Sequence, residues 1–168
     1  MEALIRIVQV GGRTGPELLH ELRAAGVELN ALGLRLLSSP AFETRPAIHT
    51  HAIVLLAVRD LGFPDGARMP QVSLAAQALG LFPGPAHLGP HLRLQYLDQP
   101  EVAATPPGAS GRAPAGSLTI ASAPLSADDE FPKGFYLRRL GGTLWLRGYR
   151  ADAEHRWDAD DRFVYCSS

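Results

Sequence analysis

Apolar positions recur along the chain with two different periods, and the switches between them mark the elements. Residues 3–10, ALIRIVQV, have the β-branched content of a strand, which Gly11 and Gly12 end. In the T-G-P-E that follows, Thr14 stands as an N-cap, Pro16 in the first turn and Glu17 at the reciprocal capping position. The helix they open carries Leu18, Leu19, Leu22 and Ala25 on one face and stops at Gly26. A second helical spacing runs through Leu29, Leu32, Leu36 and Leu37 and gives out at SSP.

Residues 47–59, AIHTHAIVLLAVR, predict a long strand or strand pair whose VLLAV end is buried on both faces. DLGFPDGA is a turn, and a third short helix follows Pro70 with Val72, Ala75, Ala76 and Leu79 on one side. HLRLQYL alternates, Leu92, Leu94 and Tyr96 against His91, Arg93 and Gln95, which predicts a half-buried strand. Residues 99–117 hold four Pro and three Gly with little to bury, so a flexible loop is expected there inside one domain spanning 1–168. SLTIASAPL, a hairpin around Gly141 and Gly142, and RFVYC follow. The expected class is α+β: an antiparallel sheet, hairpin-rich at the C-terminal end, with two to three short helices mainly in the N-terminal half.

The hairpin concentrates the chemistry. A two-residue Gly-Gly turn sets Leu140 opposite Thr143, Arg138 opposite Trp145 and Tyr136 opposite Arg147. Phe135, Leu137, Leu144 and Leu146 then form a core face interrupted by Arg139. Tyr136, Arg138, Trp145, Arg147 and Tyr149 form the other face, with each arginine across from an aromatic ring. Trp, Tyr and Arg dominate binding hot spots, so this face is the candidate site for a protein or a small anionic ligand. The same pattern also describes a ladder that merely stabilises the hairpin.

Charge narrows the partners. Sixteen basic residues stand against 17 acidic ones, a net charge of −1, and no basic field is available for nucleic acid. Single-stranded nucleic acid is therefore a minor alternative, resting only on aromatic platforms beside arginines. Cys166 is the only cysteine, which excludes a disulfide framework, and the longest purely apolar run, AIVLLAV at 52–58, is too short to cross a bilayer. The start of the chain lacks a basic stretch followed by an apolar core. A cytoplasmic protein without a membrane partner is expected. All basic residues but Lys133 are Arg, which points to a GC-rich bacterial genome.

Catalytic motifs are missing. The strand, GGRTG turn and helix have the order of an anion-binding element, but neither G-x-x-x-x-G-K-[ST] nor G-x-G-x-x-G is present, and no cofactor is expected. A hydrolase remains the alternative, with Asp98, Asp128 or Asp129 and His155 as acid and base beside the arginines. The DDE at 128–130 reads equally as a solvated turn. His49 with His51, and His87 with His91, could each offer an imidazole pair. Gly89 and Pro90 argue against helical spacing in the second pair, and no zinc signature is matched, so no metal is expected.

DLGFPDGA, LGPHLRLQYLDQPE and FPKGFYLRRLGGTLWLRGYR resemble segments of a group of small uncharacterised bacterial proteins from soil-type organisms, from about residue 47 onward. Some of that group carry a helicase label. The resemblance implies that these segments form one fold. A helicase motor would need a phosphate-cradling loop with its lysine, which this chain lacks.

Overall fold

A computed structural model describes residues 4–42, 46–101 and 116–167. Among these residues nine strands and four α-helices follow in the order β1 (Leu4–Val10), α1 (Gly15–Ala24), β2 (Glu28–Leu29), α2 (Ala31–Ser38), β3 (His49–Ala57), β4 (Ala67–Arg68), α3 (Met69–Ala78), α4 (Leu88–Gln95), β5 (Leu118–Ile120), β6 (Gly134–Leu140), β7 (Thr143–Tyr149), β8 (Arg156–Trp157) and β9 (Arg162–Cys166). The class is α+β, as expected.

Seven strands form one sheet in the order β1-β3-β9-β5-β6-β7-β2. It is mostly antiparallel, with parallel pairs at β5–β9 and β2–β7. Because successive side chains leave a strand on opposite faces, β3 and β9 feed two cores. Ile53, Leu55, Val164, Phe135, Leu137 and Leu146 pack with Leu18, Leu22, Leu36 and Leu92 from α1, α2 and α4. On the opposite face Leu56, Val58, Phe163 and Tyr165 pack with Val72 and Ala76 of α3 and with Ala67 and Trp157 of the small β4–β8 ribbon. VLLAV is thus buried on both sides, which explains why it reads as a continuous apolar run.

Side-chain caps set the first two helices, that of Thr14 as expected. The Thr14 hydroxyl accepts from Glu17 N–H at 3.3 Å and Asn30 Oδ1 from Gly33 N–H at 2.8 Å, capping α1 and α2. Two short pieces, β2 and the β4–β8 ribbon, carry no period long enough to be read from sequence.

Residues 91–95 correct the sequence reading: HLRLQ is helical, not a strand. Leu88 and Leu92 stack one turn apart on the core, and Gly89 lets the helix lie against Phe135, whose Cβ is 2.9 Å from where an alanine Cβ would sit. Pro90 falls in the first turn, where no backbone N–H is required. His87 and His91 therefore do have helical spacing, with ring centroids 5.9 Å apart. Most of the 99–117 segment, residues 102–115, lies outside the described residues, while Gln99 and Ser117 at its ends are buried. Among the described residues no helix is long and apolar enough to cross a membrane.

Candidate functional site

Gly141 and Gly142 both have positive φ, 58° and 78°, as a two-residue turn of this twist demands, and the register follows from it. Arg138 pairs with Trp145, Tyr136 with Arg147 and Leu140 with Thr143, as predicted. Gly134, Tyr136, Arg138, Trp145, Arg147 and Tyr149 consequently share the face opposite α1, α2 and α4.

That face is less open than a solvent-facing ladder. Tyr136 is 9% exposed and Arg138 7%, and Trp145, Arg147 and Tyr149 are half-buried. The cation–π contact is not the cross-strand one the register suggested. Arg147 stacks on Trp145, two residues away on its own strand, with its guanidinium carbon 4.2 Å from the ring centroid. Its Nη1 also reaches the Tyr136 hydroxyl at 3.5 Å. The buried Nε of Arg138 has no acceptor among the described residues. Neither Arg138 nor Arg147 forms an ion pair among the described residues, while Asp160 pairs with Arg59 and Asp129 with Lys133.

Arg93, on α4 and fully buried, holds this hairpin from the other side. Its Nη1 donates to Gln99 Oε1 at 2.7 Å and to the carbonyls of Trp145 at 3.2 Å and Arg138 at 3.5 Å, and Nη2 donates to the Tyr96 carbonyl. Gln99 Nε2 donates in turn to the Leu137 carbonyl at 3.2 Å. Burial lowers the Arg93 pKa to about 10, leaving it charged at neutral pH. β5 begins at Leu118, opposite Leu137, so Gln99 serves the point on β6 where pairing with β5 stops. The sequence reading missed Arg93 and Gln99 because a buried guanidinium has no local signature.

Toward β8 the same face opens into a cleft of about 460 Å³. Tyr149 packs edge-on against Trp157 at 5.7 Å between centroids, and Trp157 against Phe163 at 4.9 Å, so aromatic rings run from the hairpin into the cleft wall. Burial raises the Tyr149 phenol well above its ordinary pKa, with Tyr165 adding to the effect, and pushes Tyr165 up to about 12. Comparison with family models, with curated proteins and with solved structures gave no match. The site must therefore be read from its own geometry.

Of the hydrolase candidates, Asp98 lies apart, whereas Asp129 and His155 line one depression. Asp98 is 83% exposed and 3.9 Å from Arg6, at the β1 edge. Asp128 accepts from Glu130 N–H at 3.0 Å, in a turn where Asp128 N–H donates to Ser126 Oγ. Asp129 and His155 border one shallow depression with Arg150, and the His155 ring stands edge-on to Trp157 at 4.7 Å. The His91 side chain accepts from Gly11 N–H at 3.1 Å through Nε2, which ties α4 to the β1–α1 turn.

Proposed function

We propose that the chain is a non-enzymatic binding module whose hairpin face holds a small anionic ligand between Arg138 and Arg147. One observation carries the reading: Arg138 is more than nine-tenths buried, sits diagonally across the ladder from Arg147, and among the described residues has no carboxylate partner and no acceptor for its buried Nε. Burying a guanidinium away from water is costly unless its donors are met, and two like charges side by side add to the cost. An anion bound between them removes both penalties, and guanidinium forks match phosphate and carboxylate oxygens bidentately. Trp145 fixes the plane of Arg147 by stacking, and the Arg93 network fixes the strand backbone beneath both, so the two donors are pre-organised.

Thermal unfolding in the presence of pyrophosphate, citrate or chloride at equal ionic strength tests this. Pyrophosphate or citrate should raise the melting temperature of the wild type saturably, while chloride does not. Arg138→Gln and Arg147→Gln should each weaken that response about tenfold or more, the loss expected for a charge-assisted hydrogen bond. An unchanged response in both variants would refute the site.

A further inference from the structure

The cleft beside β8 is separate from the arginine pair and has different chemistry. Pro70, Pro83 and Pro124 line it and are exposed, and Met69 and Tyr149 line it and are half-buried, so it presents apolar surface to solvent. Rigid proline rings, and a tyrosine ring held edge-on against Trp157, cannot fold over to cover that surface. At about 460 Å³ the cleft is within the range of small-molecule sites, and an apolar ring seated in it removes the surface from water.

The charges of the lining are not balanced. Asp129, Lys133 and Asp152 are its charged residues, and the lysine is taken: its Nζ lies 3.2 Å from Asp129 and donates to the Asp128 carbonyl at 3.4 Å. Asp152 is exposed, accepts from Glu154 N–H at 2.9 Å through one carboxylate oxygen, and has no basic side chain at ion-pair distance among the described residues. The shallow depression that shares Asp129 and Asp152 with the cleft adds Glu130 and Glu154 against Arg150 alone as a fixed cation. Arg150 donates to the Glu130 carbonyl, and Glu154 pairs with Arg68, so the carboxylate of Asp152 is the one left for a ligand at the cleft.

We infer that this cleft binds a small organic cation, its apolar ring among the prolines, Met69 and Tyr149 and its ammonium group on Asp152. The apolar walls select the ring, and the unpaired carboxylate selects the charge. An anion is repelled by the same carboxylate, and a neutral molecule of equal size gains nothing from it.

The probe is benzylamine, compared with benzyl alcohol, which keeps the ring and loses the charge, and with benzoate, which reverses it. The readout is the methyl resonance of Met69 in protein labelled with ¹³C at the methionine methyl groups, assigned with Met69→Leu because Met1 is the only other methionine. Benzylamine should shift the Met69 methyl saturably and bind more tightly than benzyl alcohol or benzoate. Asp152→Asn, whose side-chain oxygen can still accept from Glu154 N–H, should weaken benzylamine about threefold to fivefold, the size of an exposed ion pair, and leave benzyl alcohol unchanged. Added salt should weaken benzylamine in the same sense. A Met69 methyl that benzylamine leaves in place, equal or tighter binding of benzyl alcohol or benzoate, or full benzylamine affinity in Asp152→Asn would each overturn the inference. Because Arg138 and Arg147 line no part of this cleft, either result leaves the anion site to its own test.

Discussion

His91 illustrates how a single buried residue sets a pH limit. It is fully buried, accepts from Gly11 N–H through Nε2, and has His87 and Arg13 nearby, so burial first and those charges second lower its pKa to about 4. Between that value and the ordinary 6.5 the unfolded chain binds a proton that the native state refuses. Stability is therefore full above about pH 6.5 and falls as the pH drops toward 4, by up to about 3 kcal/mol. Urea unfolding of wild type and His91→Gln at pH 7.5 and pH 5 checks this: the variant, whose amide oxygen can still accept from Gly11, should lose part of the pH dependence. Identical pH dependence in the two would contradict it. Cys166 makes a second residue-scale case, since it is fully buried and burial pushes its thiol up to about 11. A disulfide-exchange reagent should label it only as fast as the protein unfolds. Labelling at the same rate in buffer and in denaturant would show the thiol to be accessible.

At the scale of elements, close backbone contacts decide what the chain tolerates. Helix α2 lies so near β7 that a Cβ on Gly148 would come within 2.6 Å of the Leu32 carbonyl carbon and 2.7 Å of Gly33 N. Asn30 bridges the same contact, accepting from Gly148 N–H at 2.8 Å and donating to its carbonyl at 3.0 Å. Gly148→Ala should destabilise the fold by about 1–3 kcal/mol, measured by urea unfolding, as overpacking does. A neutral effect would mean that α2 moves freely on the sheet. The sequence reveals the hairpin in full because turn chemistry and period-2 alternation agree there, down to the pairing of Arg138 with Trp145. It misleads at HLRLQYL because seven residues of alternation cannot outweigh a buried environment in which Arg93 and His91 both face protein partners. The short β2 and the β4–β8 ribbon exist only through tertiary pairing.

For the molecule as a whole, the sheet carries a core on each face. Helices α1, α2 and α4 cover one face, and the Arg93 network locks the β6–β7 backbone from that side. On the opposite face α3 and the ribbon pack at the end where the aromatic rings border the cleft. Sequence pattern names the five residues of the hairpin face but not their burial, and burial is what turns Arg138 from a surface charge into an unpaired one. Isothermal titration of pyrophosphate into wild type and into a folded Arg138→Gln/Arg147→Gln double variant is the most direct measurement. One site per chain in the wild type, lost in the double variant, is the result the arginine-pair account predicts. Equal binding to both proteins, or no heat with the wild type, would contradict it.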